Sequence, residues 1–352
     1  MPKYDRFANI LEMRIRKGDY VLRNFPTEQQ LADEIGASRM TARRALLALM
    51  EKGLLVRKPH GKIEVNRDHE SAGSKLRLAF LAPAYSSQVV ETWRFALDRA
   101  ADRYDADVRT VDFVHWDDPV IPQTLSGFDG VFLVPSSENI PATVLQRFNK
   151  ANNLIALDVD LTAHGIPSVQ LMPPLFVSRV GDHLFELGHR HIDCLNTQPH
   201  DTVVQQRIGQ WQLWQRMKKV QGRLIDEPVE PFQNAALHAR SVMAKILKKK
   251  DFSATAVVCI TGIVALGAIR ALHDAGYAIG KDVSVAAVDG SGMEGLYVPS
   301  HTVLKLPDPE PYLETCIEWL QRAEDSWVGP LLVQPASVEL FVGESTGKAP
   351  RA

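Results

Sequence analysis

The chain has 352 residues, of which 45% are hydrophobic and 23% are charged, and its formal net charge is −2. These are ordinary globular values for a chain of about two or three domains, and they exclude an intrinsically disordered protein. The charge is unevenly distributed: residues 1–67 carry 14 Lys and Arg against 8 Asp and Glu (net +6), and the remainder carries 26 against 34 (net −8). A small basic segment on an acidic body is expected when only that segment meets a polyanion.

Helical and hairpin signals fill the basic segment. Apolar residues at helical spacing predict a helix from Tyr4 to Arg16, a second one that begins after Thr27, and a third one that is capped by Ser38 and ends at Gly53. Two short apolar runs then flank Pro59-His60-Gly61, which indicates a hairpin. The order is helix, turn, helix and a two-stranded hairpin with a basic tip.

The third predicted helix has an apolar face and a cationic face. Arg39 and Arg43 are one turn apart, and either could make a bidentate bond to guanine O6 and N7. Thr41 would meet a thymine methyl group or a phosphate, and Arg44 would meet a phosphate or solvent. The first turn, capped by Ser38, would present backbone N–H groups to a phosphate. In isolation this pattern is also that of a solvated basic face, but the surrounding motif favours DNA recognition.

From Lys75 onward, short apolar runs alternate with amphipathic helical stretches. Repeated β-α-β units with fully apolar strands predict an α/β fold with doubly wound parallel sheets. The strands are too many for one small sheet, so we expect two lobes with a cleft at the carboxyl ends of the strands. The predicted division is residues 1–67 for the basic domain, 68–75 for a linker, 76–343 for the two lobes and 344–352 for a flexible tail.

The two parts each resemble a known family. The first ~65 residues resemble the GntR-type winged helix-turn-helix. That resemblance rests on Pro26-Thr27-Glu28, Leu31-Ala32, Ser38-Arg39-Met40-Thr41, Arg43, Ala45-Leu46 and Gly53-Leu54. The remainder resembles the LacI/GalR-type effector domain, a fold like that of periplasmic binding proteins. Its marks are Leu187 to Ile192, Arg207 with Trp211, Ala256 to Val258, Ala265 to Ala268, Ala275 to Tyr277 and Asp282 to Asp289. Together they indicate a hybrid regulator similar in plan to arabinose-type repressors.

The resemblance implies a function and its residues. A homodimeric repressor would bind a palindromic operator in double-stranded DNA and would respond to a small molecule, such as a sugar, in the cleft; no cofactor is implied. The implied DNA contacts are Thr27, Ser38, Arg39, Thr41, Arg43, Arg44, and the wing residues His60, Gly61 and Lys62. The implied effector contacts are Arg207, Asp289 and Thr261; Thr261 and Gly262 stand where the family has an Asn-Asp pair.

Two other classes compete with the regulator. Asp158-Val159-Asp160-Leu161-Thr162 follows an apolar run and mimics the start of haloacid-dehalogenase-type phosphatases, with Asp158 as nucleophile, Asp160 as general acid and Mg²⁺ bound. A ligand-binding protein without a DNA function is the other. The basic domain favours the regulator over both, so we expect no enzyme activity.

Other composition signals are negative. The three cysteines are far apart, and the histidines lack partners at metal-ligand spacing, which favours structural roles. No apolar run approaches the ~18 residues of a membrane span. The beginning of the chain has no apolar targeting segment, so we expect a cytoplasmic protein with no membrane contact.

Overall fold

The N-terminal domain is a three-helix unit with a two-stranded hairpin. The computed structural model describes residues 3–16, 18–22, 25–34, 36–59, 61–66, 75–85, 87–321 and 331–350. The elements of this domain are α1 (Lys3–Arg16), α2 (Glu28–Glu34), α3 (Arg39–Glu51), β1 (Leu55–Arg57) and β2 (Ile63–Val65). The strands β1 and β2 pair antiparallel, as the hairpin signal predicted. Leu11, Leu31, Leu46 and Leu49 are fully buried in its core, because each lies on the apolar stripe of its helix.

Two α/β lobes follow. The first begins with β3 (Arg77–Pro83), α4 (Gln88–Arg103), β4 (Asp107–Phe113), α5 (Val120–Gly127), β5 (Gly130–Leu133), α6 (Ala142–Asn149), β6 (Leu154–Leu157) and β7 (Ser168–Val169). The second contains α7 (Val177–Glu186), β8 (Ile192–Asn196), α8 (Thr202–Lys218), β9 (Leu224–Asp226), α9 (Ala235–Lys248), β10 (Ala256–Cys259), α10 (Gly262–Asp274), β11 (Ser284–Ala287) and β12 (Thr302–Leu304). The chain then forms α11 (Glu310–Gln321), β13 (Leu332–Val333) and β14 (Leu340–Phe341).

Each lobe has a sheet of six strands among the described residues. The order in lobe 1 is β13-β7-β6-β5-β3-β4, with all pairs parallel. The order in lobe 2 is β14-β12-β11-β10-β8-β9, and only the β12–β14 pair is antiparallel. Strands such as β5, β6, β8 and β10 are buried throughout, since helices cover both faces of each sheet. The predicted α/β fold with two parallel-sheet lobes is confirmed.

The lobes meet across the cleft. The Gln88 Nε2 at the start of α4 donates to the carbonyl oxygen of Ser291 in lobe 2 at 2.6 Å. The rings of Tyr85 and Phe232 lie edge to face, with centroids 5.6 Å apart. Carboxyl ends of parallel strands in both lobes face this gap, which places loop side chains from distant parts of the chain together. None of the described helices has the length and apolar composition that would let it cross a bilayer.

The expectation of a flexible tail is wrong for residues 344–350. Ser345 is fully buried, and its Oγ donates to the carbonyl of Val285 at 2.7 Å and accepts from the N–H of Thr302 at 2.8 Å. The N–H of Ala349 donates to the carbonyl of Leu187 at 2.9 Å. Small polar residues indicated disorder in the sequence, but here they satisfy backbone groups of lobe 2. Residues 351–352, residue 67 and residues 68–74 of the predicted linker lie outside the described residues.

Candidate DNA-binding surface and interlobe cleft

The start of α3 is held by its cap. Ser38 has an extended backbone, and its Oγ accepts from the N–H of Thr41 at 3.2 Å. The hydroxyls of Ser38 and Thr41 are also 2.9 Å apart. One of the free N–H groups of the first turn is therefore satisfied within the protein. The two hydroxyls fix the first turn, so any contact that they make with DNA is made from a rigid position.

The start of α2 is a reciprocal cap. The Oγ1 of Thr27 accepts from the N–H of Gln30 at 3.3 Å, and the Gln30 Oε1 accepts from the N–H of Thr27 at 2.9 Å. This is a capping box, which fixes the direction in which the chain enters the helix. Thr27 is exposed but occupied in this cap, so its direct contact with DNA stays a prediction.

Cationic side chains are exposed on α3 and β1. Arg39, Arg43 and Arg44 are all exposed, and 70% of the Arg39 side chain is accessible. The Oε2 of Glu28 lies 3.6 Å from Arg39 Nε, and its Oε1 lies 3.8 Å from Arg57 Nη2. Glu28 thus joins α2, α3 and β1 on the same side of the domain. Arg57 was not predicted from the sequence, although the pair Arg57-Lys58 before the hairpin turn was the available signal.

The tip of the hairpin is open. The N–H of Lys58 donates to the carbonyl of Lys62 at 2.8 Å, and the N–H of Gly61 donates to the carbonyl of Lys58 at 2.8 Å. Gly61 has φ +78°, a conformation that favours glycine, and no atom lies within 4 Å of where a Cβ would stand. Lys62 Nζ lies 3.1 Å from Glu64 Oε1. His60 lies outside the described residues, so its predicted role is not addressed.

In the cleft, Arg207 and Asp289 come together as the sequence predicted. Arg207 is 5% exposed, and its Nη1 donates to Asp289 Oδ2 at 2.5 Å and to the carbonyl of Ile260 at 3.1 Å. Asp289 Oδ1 accepts from the N–H of Gly262 at 2.8 Å, at the N-terminus of α10. Charge-assisted bonds of this kind hold both groups in one geometry. The carboxylate of Asp289 therefore accepts hydrogen bonds on both oxygens, one from the guanidinium of Arg207 and one from the N–H of Gly262.

Thr261 has a structural task at the same place. It is the N-cap of α10, and its Oγ1 accepts from Gln198 Nε2 at 3.0 Å and from the N–H of Val264 at 3.4 Å. Its hydroxyl therefore orients the helix start beside Asp289. A contact between Thr261 and an effector stays a prediction.

Asp158 also lies near Arg207 and Asp289, which was not predicted from the sequence, although its place at the end of β6 was the signal. It has φ +62°, an uncommon backbone conformation for a residue other than glycine. Enclosure by the surrounding protein raises the pKa of Asp158 to about 7; nearby Arg207 lowers this pKa, and Asp289 and Asp201 raise it further. Burial also raises the pKa of Asp201. The pKa of Tyr85 is raised by burial and by the nearby carboxylates of Asp201 and Asp158. The cleft thus gathers three carboxylates around one guanidinium.

The phosphatase interpretation finds no support in this geometry. Asp160 Oδ1 accepts from both the N–H (2.9 Å) and the Oγ1 (2.6 Å) of Thr162, so it serves a local turn. A nucleophilic carboxylate must be ionised, which the raised pKa of Asp158 opposes. No group of three or more His, Cys, Asp or Glu suited to a metal ion occurs in the part of the chain that the structure describes. His189 instead bonds the hydroxyls of Thr255 and Ser284.

These features define a structural class, in which a winged helix-turn-helix precedes a two-lobed domain like that of periplasmic binding proteins. Comparison with known families agrees with both parts. Residues 3–65 match the family of bacterial regulatory proteins called gntR, and residues 181–346 match the periplasmic binding protein-like domain. Residues 3–65 therefore match a GntR domain, and residues 181–346 match a periplasmic-binding-protein-like domain.

Individual relatives are transcriptional regulators by name. The chain is similar to the HTH-type transcriptional regulator AglR of Rhizobium meliloti (strain 1021), with 30% identity over 44% of this chain and 46% of that protein. It is also similar to MalR of Streptomyces coelicolor (strain ATCC BAA-471 / A3(2) / M145), with 29% identity over 36% and 37%. The chain thus spans less than half the length of these relatives. The lac repressor dimer, solved with operator and an anti-inducer, has the same fold: TM-score 0.64, 21% identity, 81% of this chain and 99% of that one.

Proposed function

We propose that this protein is a sequence-specific DNA-binding transcriptional repressor whose affinity for its operator is set by a small molecule between the two lobes. The observation that carries the proposal is the exposure of Arg39, Arg43 and Arg44 on the capped helix α3, with Arg57 beside Arg39 through the shared partner Glu28. A helix presented in this way enters the major groove with its N-terminal residues on base edges. Both AglR and MalR are named as transcriptional regulators, which supports the same role.

The repressor would act as a homodimer in the cytoplasm, without enzyme activity. A protein with two-fold symmetry matches a palindromic operator whose half-sites are spaced by whole turns of DNA. Effector binding would change how the lobes are placed, and thereby the spacing of the two DNA-binding domains. Binding of a ligand without DNA recognition is the weaker alternative, because it leaves the net charge of +6 in residues 1–67 without a role.

The charges of the cleft restrict the chemical class of the effector. Asp158, Asp201 and Asp289 lie near the guanidinium of Arg207, and the Nη1 of that guanidinium already bonds Asp289. Carboxyl oxygens outnumber the donors beside Arg207 even when Asp158 is protonated, and the carboxylate of Asp289 disfavours a second anion nearby, so we infer an effector that offers hydroxyl or ammonium donors. A neutral sugar or an amine fits this description, and a sugar acid does not.

Selection of genomic fragments by the purified full-length protein tests the function. We expect recovery of fragments that share an inverted repeat, with an affinity that falls steeply as salt rises. Titration of one such fragment with neutral sugars, amines and sugar acids should show that only the first two kinds change its occupancy. Recovery of fragments without a shared sequence would contradict the function. A response confined to sugar acids would contradict the inferred effector class.

A further inference from the structure

A short segment after α1 contacts both the DNA-binding domain and lobe 1. Tyr20 is buried in the core of the DNA-binding domain, and its ring centroid lies 4.6 Å from that of Phe25. The next two residues, Val21 and Leu22, pack instead against the lobe 1 core that contains Phe128 and Val131. Neighbouring residues of this segment therefore contribute to two different hydrophobic cores: Tyr20 to that of the DNA-binding domain, and Val21 and Leu22 to that of lobe 1.

The contact with lobe 1 depends on a glycine. Gly127 ends α5, and a Cβ built on it would stand 1.9 Å from Val21 Cγ1. Only glycine leaves room for Val21 there, since real Cβ contacts are never so short. On the other side, Gly18 has φ +74°, and a Cβ on it would stand 2.9 Å from the ring of Phe128. The two surfaces fit closely because both lack side chains at the points of contact.

An ion pair spans the same contact. Asp19 Oδ1 lies 2.6 Å from Arg109 Nη1 on β4, and Asp19 Oδ2 lies 3.2 Å from Arg14 Nε on α1. These groups are about a fifth to a third exposed, so the pair adds little stability in water. It does fix the direction in which the segment meets lobe 1. We refer to residues 18–22 with Arg109, Gly127 and Phe128 as the latch.

The latch lies at the opposite end of the lobe 1 sheet from the cleft. Phe128 comes just before β5 and Arg109 lies near the start of β4, whereas the carboxyl ends of these strands lead to the cleft. A strand of seven residues spans roughly 23 Å, so lobe 1 forms a rigid arm between effector and DNA-binding domain. A movement at one end of a packed sheet is carried to the other end.

We propose that the latch holds the DNA-binding domain and lobe 1 as one body, so that lobe movement, rather than a free linker, places the DNA-binding surface. The regulatory meaning of this rests on the proposed function, but the latch itself does not. Residues 18–22 thereby become a coupling element between two domains that are joined in sequence only through residues 66–76.

Spin-label distances test the latch in the full chain. Cysteines replacing the exposed Lys58 and Lys150 carry the labels, while Cys194, Cys259 and Cys316 are buried. We expect one narrow distance distribution in the parent protein. Gly127→Ala should broaden it at least twofold, and adding Val21→Ala should narrow it again by making room for the new methyl group.

Two further variants keep the test decisive. Gly209→Ala is the matched control, because no atom lies within 4 Å of its Cβ position, and it should leave the distribution unchanged. Arg109→Glu, at a part-exposed site, opposes Asp19 without a change in the core and should also broaden it. A broad distribution in the parent protein would overturn the latch, and so would a narrow one in both Gly127→Ala and Arg109→Glu.

The coupling is tested separately with a selected operator. Gly127→Ala should weaken binding to the complete inverted repeat roughly tenfold or more, because freed domains no longer hold both half-sites at one spacing. Affinity for a single half-site should stay unchanged. Equal loss at both, or no loss at either, would overturn the coupling. Absence of any specific DNA binding in the parent protein would refute the proposed function instead, with the distances still deciding the latch.

Discussion

The DNA-binding surface and the cleft both depend on arginine, in opposite settings. Arg39 is 70% exposed and its carboxylate partner Glu28 is 3.6 Å away, whereas the Arg207 side chain is 6% exposed and bonds Asp289 at 2.5 Å. An exposed guanidinium can exchange water for a phosphate or a base edge when DNA arrives. The buried guanidinium of Arg207 instead forms hydrogen bonds within the protein, to Asp289 and to the carbonyl of Ile260. The comparison separates exposed charges that are accessible to an external partner from charges that arrange an interior site.

Removing the buried arginine should produce the largest loss of stability. Arg207→Ala leaves Asp289 without its guanidinium and should lower the free energy of unfolding by about 3 kcal/mol. Arg270→Ala is the matched control, since Arg270 is 62% exposed and pairs with Asp274 one helical turn away; it should cost under about 1 kcal/mol. Urea unfolding measures both. Equal losses would show that the buried pair of Arg207 and Asp289 contributes no more to the free energy of unfolding than an exposed pair does.

The protonation of Asp158 offers a second comparison between an enclosed charged group and an exposed one. Its folded-state pKa of about 7 lies above the ordinary 3.8. The folded protein therefore retains a proton that the unfolded chain releases, and stability from this group declines as pH rises from about 4 to 7. We expect the stability of Asp158→Asn, relative to the parent protein, to rise across this interval and level off above pH 7. The exposed Asp117→Asn serves as the control in pH-dependent urea unfolding; a flat difference for both variants would contradict the assignment.

The caps give the smallest effect. Ser38→Ala removes the bond to the N–H of Thr41 and should destabilise the DNA-binding domain by about 1 kcal/mol. Ser87 occupies the N-cap of α4 without a capping bond from its side chain, so Ser87→Ala should change stability little. Hydrogen exchange of the amides in α3 and α4 distinguishes the two. The prediction would be contradicted if Ser87→Ala accelerated exchange in α4 more than Ser38→Ala accelerated exchange in α3.

The two regions also differ in how far the sequence predicted them. The DNA-binding surface is encoded locally: a cap at Ser38, arginines four residues apart and a glycine in the hairpin turn lie within 25 residues. The cleft pair joins residues 82 positions apart, and only the rule that ligand sites lie at strand ends placed both there. Its chemistry depends on enclosure by both lobes, which periodicity does not encode.

Other features lay beyond local patterns for the same reason. Ser345 looked like part of a polar tail because its partners, Val285 and Thr302, are more than 40 positions away. Val21 and Gly127 likewise fit each other over a separation that no motif marks. Such contacts are specific pairings of surfaces, so they become visible only once the lobes are assembled.

We propose that the exposed arginines of α3 bind the operator. The most direct test is the affinity for a selected inverted repeat of the parent protein, of Arg39→Ala combined with Arg43→Ala, and of Arg216→Ala, which removes an exposed arginine from lobe 2. We predict a loss of about 30-fold or more for the double variant, since each base contact provides about 1–3 kcal/mol. Arg216→Ala should bind like the parent protein. Undiminished affinity of a folded double variant would contradict the proposed role of Arg39 and Arg43.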